Sequence, residues 1–158
     1  MLKVDGRNID CVESGEGPAL LFLPGSYSTT AAWRQVQRHM NSGCRVVTSS
    51  LCGYGGTTDT RTKQDFDIPH EVQLVQALAR HIDQPVHLVG HSFGATVALA
   101  AALSRTVEIA SLTLFEANPM ALIQAHGDGW LYEETLGMSR AFEAAVHAGE
   151  VRCPRPRH

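Results

Sequence analysis

The sequence predicts an α/β protein built around a mostly parallel sheet. Short apolar runs alternate with amphipathic stretches, an order typical of parallel strands joined by right-handed crossovers. The chain has 158 residues, of which 44% are hydrophobic and 18% charged, the balance of about one globular domain. Its net charge of -3 gives no basic surface for nucleic acid, and its longest apolar stretch, Val97–Leu103, is too short to cross a membrane. We therefore expect neither nucleic acid nor membrane as a partner.

The first predicted element is a hairpin. Strand-like runs at Met1–Val4 and Asn8–Val12 flank Asp5-Gly6, a dipeptide that favours the positive backbone angles of a tight turn. We expect this hairpin, at residues 1–13, to pair antiparallel on one edge of the sheet.

Four later apolar runs predict the parallel strands. They are short, continuous and bounded by glycine or proline, as in strands that are buried on both faces. The predicted strands are residues 20–23, 45–48, 86–89 and 111–115. The segments between them predict helices from Thr29 or Thr30 to Met40, from Pro69 to about Ile82, and over Phe93–Leu103.

The pattern changes after Pro119. Helical segments at Met120–Ala125 and Leu131–His147, with no strand between them, predict the start of a helical lid. The expected organisation is a core at residues 1–118, the start of a lid at 119–150, and a disordered or frameshifted tail at 151–158.

The segment Gly90-His91-Ser92-Phe93-Gly94 has the pattern G-x-S-x-G. It follows an apolar strand and opens a helix, which is the setting of a nucleophile elbow. Small residues at Gly90 and Gly94 let the backbone turn without collision, so that the Ser92 hydroxyl projects above the carboxyl end of the sheet. The alternative interpretation is that Ser92 only caps the helix.

A second segment supports the catalytic interpretation. Leu21–Ser26 ends a buried strand in a loop whose backbone faces the elbow if the two strands are neighbours. An acyl-transfer site needs about two converging N–H donors, one after the nucleophile and one from such a loop. The amides of Phe93 and Ser26 are therefore the oxyanion-hole candidates.

Together these segments resemble the α/β-hydrolase superfamily. The resemblance extends to about residue 150, and it rests on VDGRNIDCVESGEGPALLFLPG, LCGYGGT, VHLVGHSFGATVAL and SLTLFEANP in the superfamily's order and spacing. It implies the α/β-hydrolase fold and an esterase-like serine hydrolase without a cofactor, with Ser92 as the nucleophile. Serine instead of aspartate at the elbow argues against dehalogenase or epoxide chemistry.

Two loops depart from the superfamily's pattern. Pro24-Gly25 stands where His-Gly is usual, which keeps the turn and drops a histidine. The loop that usually reads Asp-x-x-Gly-x-Gly-x-Ser begins here with Ser50, so its glycines are kept and its acid is lost. A phosphate-binding loop at Gly53–Thr58 is the rival interpretation, but no lysine follows at the required position.

The catalytic triad is incomplete in this sequence. The superfamily's order is nucleophile, acid, histidine. The histidines after Ser92 are His126, His147 and His158, none of which follows a strand, so solvated or packing roles are favoured for them. Glu116 follows a strand at the functional edge and is the candidate acid, although a structural role is favoured. His91 is interpreted as an orienting group.

We therefore expect the N-terminal half of a hydrolase, ended early by a truncation or frameshift within Val151–His158. The leading hypothesis is that Ser92 attacks a small ester-like substrate, with a base that this chain lacks. The alternative is a catalytically silent remnant that self-associates through an exposed sheet edge.

The four cysteines predict the compartment. Cys11, Cys44, Cys52 and Cys153 lie far apart in the sequence, which favours reduced thiols in the cytoplasm over disulfides or a zinc site. The N-terminus shows no secretory signal. Neither a metal nor a cofactor is expected.

Overall fold

A computed structural model describes residues 1–40, 43–65, 67–127 and 129–148, so that the expected tail at 151–158 lies outside the described residues. The elements are β1 (Leu2–Val4), β2 (Arg7–Ile9), β3 (Cys11–Ser14), β4 (Ala19–Leu23), a 3₁₀ helix (Thr30–Trp33), α1 (Arg34–Arg38), β5 (Arg45–Ser49), α2 (Pro69–Ile82), β6 (Val86–His91), α3 (Phe93–Ser104), β7 (Ile109–Phe115), α4 (Met120–His126) and α5 (Gly129–His147).

The chain divides into two compact units. The first is Met1–Asn118, and the second begins at Pro119. The first unit holds β1 to β7 with α1 to α3, and in the second α4 packs against α5.

In the part of the chain that the structure describes, the central sheet has five strands in the order β3-β5-β4-β6-β7. The strand β4 pairs in parallel with both β5 and β6, and β6 pairs in parallel with β7. Leu21 on β4 lies opposite Val47 on β5 and Leu88 on β6, and all three side chains are buried. The predicted α/β class and the four predicted parallel strands are therefore confirmed.

The N-terminal hairpin differs from its prediction. Asp5 and Gly6 have φ values of 50° and 77°, as expected for the turn between β1 and β2. However, β1 and β2 form a separate two-stranded sheet, and only β3 pairs with the central sheet, antiparallel to β5. The strand breaks at Asp10, because its N–H donates to the Thr57 hydroxyl and its carbonyl accepts the Ser50 N–H, at 3.0 and 2.9 Å.

The helices cover the two faces of the sheet unequally. The crossover from β4 to β5 runs in one direction across the sheet and the other two crossovers run in the opposite direction, so right-handed connections place α1 on one face and α2 with α3 on the other. The main core lies under α2 and α3 and includes Leu21, Leu88, Val75, Leu78, Val97 and Ala101. The face under α1 has a smaller cluster of Phe22, Trp33 and Val89.

The first predicted helix is shorter and tighter than expected. Thr29 caps it by accepting the Ala31 N–H, at 3.4 Å, but a 3₁₀ turn precedes α1, which ends at Arg38 and not at Met40. The amides of His39 and Met40 donate to carbonyls three residues back, and this 3₁₀-type tightening ends the helix.

Candidate active site

Ser92 lies at the turn between β6 and α3. Its backbone has φ 52° and ψ -120°, a conformation that residues with a side chain rarely adopt. Its side chain makes no capping hydrogen bond to α3, so the structure does not support the interpretation of Ser92 as a helix cap. Such strain is held in place by its surroundings and is typical of functional positions.

Two glycines allow this turn by close backbone contact. A Cβ on Gly90 would lie 2.5 Å from the Ala95 Cα, and a Cβ on Gly94 would collide with the backbone carbonyls of Leu23 and Pro24. The start of α3 therefore packs directly on the ends of β6 and β4. Both glycines of the G-x-S-x-G pattern are required by packing, for the reason that the sequence indicated.

The segment Pro24–Thr29, here called the β4 loop, lies beside the elbow. A Cβ on Gly25 would come within 3.2 Å of the Ser92 Cβ and 3.1 Å of His91 Nδ1. This contact follows from the pairing of β4 with β6. Ser26 is the next residue, and Tyr27 after it has a left-handed φ of 60°.

The two candidate oxyanion donors are the amides of Phe93 and Ser26. Phe93 is the first residue of α3, where amides have no partner inside the helix. The structure shows no acceptor for either amide among the described residues. The N–H of Ser92, in contrast, donates to the Phe115 carbonyl at 2.8 Å.

His91 and Glu116 form a pair that sequence reasoning missed. His91 Nε2 lies 3.2 Å from Glu116 Oε2, and the side chains are 46% and 84% exposed. No hydrogen bond joins the Ser92 hydroxyl to His91, or to any other histidine of the described ranges. Glu116 therefore contacts the neighbour of the serine. The only sequence signal was that Glu116 directly follows a parallel strand, at the edge where the elbow lies.

Two of the later histidines, His126 and His147, lie in the second unit. His126 ends α4 with an exposed side chain, and His147 is the last residue of α5. His158 lies outside the described residues.

An apolar groove of about 500 Å³ opens beside His91. Its walls include Pro24, Trp33, Val36 and Phe115. Trp33 is buried against Phe22, with ring centroids 5.0 Å apart, and its indole nitrogen has no partner among the described residues. The groove is large enough for a small apolar group next to the elbow.

The segment Ser50–Arg61, here called the β5 loop, is stabilised by contacts with α2. The buried Glu71 carboxylate, 1% exposed, accepts the Cys52 N–H at 3.1 Å and lies 3.5 Å from the Arg61 guanidinium. Burial raises the pKa of Glu71 and raises that of the Cys52 thiol to about 12. Hydrogen bonds from Arg61 lower the pKa of Asp59.

The β5 loop also reaches the β4 loop. The rings of Tyr54 and Tyr27 meet edge to face, with centroids 6.4 Å apart. Ser50 Oγ accepts the Thr30 N–H at 3.1 Å. Position 50 holds a serine where similar loops of the superfamily carry an acid. A carboxylate is still present at this point, because the Ser50 hydroxyl donates a hydrogen bond to Asp10 Oδ2 at 2.7 Å. No signal in the sequence indicated that Asp10 would reach this loop.

Within the described ranges, no group of three or more His, Cys, Asp or Glu side chains is arranged to hold a metal ion. In the same ranges, no helix is both long and apolar enough to cross a membrane.

Comparison with known proteins places these features in a family. The sequence model for the alpha/beta hydrolase fold matches residues 18–145. An epoxide hydrolase from Siraitia grosvenorii is 33% identical over 114 residues, which cover 70% of this chain and 36% of that protein. A probable protein phosphatase methylesterase from Caenorhabditis elegans is 26% identical over 126 residues, covering 73% of this chain and 34% of that protein.

A solved structure gives the same result. The crystal structure of an epoxide hydrolase from Vigna radiata superposes with a TM-score of 0.64 and 29% identity, over 80% of this chain and 46% of that one. The chain thus spans between a third and a half of the length of these relatives. The family match covers most of the chain, and the sheet order and elbow agree with it: this chain belongs to the alpha/beta hydrolase fold family.

Proposed function

We propose that the chain carries the nucleophile and oxyanion hole of a serine hydrolase that acts on small ester or related acyl substrates. The observation that carries this proposal is Ser92, held at a left-handed φ with its Cβ packed against the β4 loop. A serine oxygen forms an acyl-enzyme that water can cleave. The amides of Phe93 and Ser26, which have no acceptor among the described residues, fit the two donors that the resulting oxyanion requires.

The base is a histidine that the described residues do not place at Ser92. Without a base, serine is a weak nucleophile. The oxyanion hole and substrate binding alone then give a rate about 10³ to 10⁴ times that of the reaction in water. We therefore expect this 158-residue chain to act slowly on activated esters. Glu116, which pairs with His91, is proposed as an orienting group and not as the triad acid.

A fluorophosphonate probe with mass-spectrometric site mapping tests the nucleophile. We expect slow modification of Ser92, and none in Ser92→Ala. Ser104→Ala, at the opposite end of α3, is the matched control and should label like the unmodified chain. Modification of a different serine contradicts the proposal. Fast turnover that His126→Ala abolishes would instead identify His126 as the base.

A second, non-catalytic candidate is self-association through β7. Among the strands that the structure describes, β7 pairs with β6 alone. Its seven residues, IASLTLF, contain no charge and no proline to discourage further pairing. Leu114 and Phe115 are 36% and 50% exposed. We expect sedimentation to show association that rises with concentration and is weakened by Thr113→Lys. The control Leu103→Lys changes an exposed position on α3 and should leave association unchanged.

The cysteines support a reducing compartment such as the cytoplasm. Cys11, Cys44 and Cys52 are all free thiols in the structure.

A further inference from the structure

The β4 loop needs a fixed geometry because it carries Ser26. At its start, Gly25 packs against Ser92. At its end the chain enters the 3₁₀ helix, where the Thr30 N–H donates to Ser50 Oγ at 3.1 Å. Ser50 is fully buried, so this hydrogen bond is shielded from water.

The same hydroxyl makes a second hydrogen bond with a defined direction. Because Ser50 accepts from Thr30, its own proton points to the Asp10 carboxylate, whose Oδ2 lies 2.7 Å away. A hydroxyl that donates to a charged group is a stronger acceptor for its other partner. Asp10 therefore acts on the Thr30 amide through Ser50.

Both backbone groups of Asp10, its N–H and its carbonyl, make hydrogen bonds. Its N–H donates to the Thr57 hydroxyl, and its carbonyl accepts the Ser50 N–H. The carboxylate lies against Gly55, where a Cβ would collide with Asp10 Oδ2 and come within 2.9 Å of Ser50 Oγ. The glycine in the β5 loop thus leaves room for the two polar side chains.

We propose that Asp10 and Ser50 form a positioning pair that fixes the end of the β4 loop, and through it the Ser26 amide. Similar loops of the superfamily carry the acid at the position of Ser50, whereas this chain supplies a carboxylate from Asp10, next to the hairpin. The pair rests on the proposed function, since its purpose is to hold an oxyanion donor. It predicts that the carboxylate can be moved from position 10 to position 50.

Two measurements on the full 158-residue chain test the pair. The first is amide hydrogen exchange at Thr30 by NMR, which does not depend on catalysis. The second is the labelling of Ser92 by the fluorophosphonate, resolved into the maximum rate and the probe concentration that gives half of it.

Ser50→Ala and Asp10→Ala should each speed exchange at Thr30 by about tenfold or more. They should lower the maximum labelling rate by about 10- to 100-fold while the half-saturating concentration stays the same, because a displaced donor weakens the reaction step and not probe binding. Asp10→Asn keeps the shape of the side chain and should give a smaller change in the same direction. If Ser50→Ala does not fold, Asp10→Asn replaces it in both measurements.

The double variant Asp10→Ala with Ser50→Asp moves the carboxylate, and should restore slow exchange at Thr30 and most of the lost rate. Thr58→Ala is the matched control: it removes another hydrogen bond between hairpin and β5 loop, from the Asn8 N–H to the Thr58 hydroxyl at 3.0 Å, without touching Thr30. It should change neither measurement.

Unchanged exchange at Thr30 in Ser50→Ala overturns the pair, as does an equal effect of Thr58→Ala. Failure of the double variant to restore what Asp10→Ala loses also overturns it. If the unmodified chain does not label at Ser92, the proposed function fails, and exchange at Thr30 alone then decides for or against the pair.

Discussion

The elbow and the β5 loop are both rich in glycine, but the glycines serve different purposes. At Gly90 and Gly94 an added Cβ would strike neighbouring backbone. At Gly53 and Gly55 the backbone is left-handed, with φ 78° and 57°, and an added Cβ would meet polar side chains. Backbone contact leaves no substitute for glycine, whereas side-chain partners can be exchanged. The elbow therefore keeps its sequence pattern, whereas the β5 loop keeps its glycines but takes the carboxylate beside Gly55 from Asp10 and not from position 50.

Gly94→Ala should have the largest effect. Its Cβ would overlap the carbonyls at the end of β4, which cannot rotate away, so we expect a loss of about 3 kcal/mol or more in the free energy of unfolding. Urea unfolding followed by circular dichroism measures it. Gly137→Ala, in α5 with open space around the Cβ, is the control and should be neutral or stabilising by up to about 1 kcal/mol. An unchanged midpoint for Gly94→Ala would contradict the close contact.

Glu71→Ala tests the support under the β5 loop. It leaves the Cys52 N–H without an acceptor and Arg61 without its buried partner, so we expect a loss of about 2 to 3 kcal/mol in the free energy of unfolding. Glu71→Gln keeps an oxygen acceptor and should cost about 1 kcal/mol or less. If urea unfolding gave equal losses for the two variants, the charge and not the hydrogen bond would support the loop.

Gly55→Ala should lower the free energy of unfolding by less, about 1 to 2 kcal/mol, because the left-handed backbone is strained with any side chain. Gly6→Ala is the matched control: its φ is 77°, but an added Cβ meets nothing within 4 Å. The difference between the two losses in the free energy of unfolding is the energy needed to displace the Asp10 and Ser50 side chains. Equal losses in urea unfolding would show that these side chains move freely.

The last expected effect is confined to alkaline pH and comes from the Cys52 thiol. Burial raises its pKa to about 12 from a usual 9.0, so that the folded state keeps the proton more strongly than the unfolded state. The resulting stability is present below about pH 9 and is lost as the pH rises toward about 12. Urea midpoints measured from about pH 8 to about pH 11 should therefore fall less steeply in Cys52→Ala than in the unmodified chain. Parallel curves would contradict this role of the thiol.

Local pattern was enough to predict the sheet and the elbow. Continuous apolar runs such as Val86–Val89 identify buried strands, and Gly90 and Gly94 flank a serine where strand becomes helix. The break of the hairpin at Asp10 could not be predicted, because it depends on hydrogen bonds to Ser50 and Thr57, 40 and 47 residues away. The pairing of His91 with Glu116 was missed for the same reason, since it requires the register of β6 on β7.

The hydrogen bond from the Ser92 N–H to the Phe115 carbonyl links the proposed nucleophile to β7, which is an edge strand of the sheet that the described residues form. Edge strands are the first part of a sheet to fray by thermal motion, since only one side of their ladder is closed. Each time the end of β7 frays, the backbone of Ser92 loses this hydrogen bond, while the close backbone contacts at Gly90 and Gly94 remain. We expect a strand that pairs with β7 to stabilise this hydrogen bond without touching the serine.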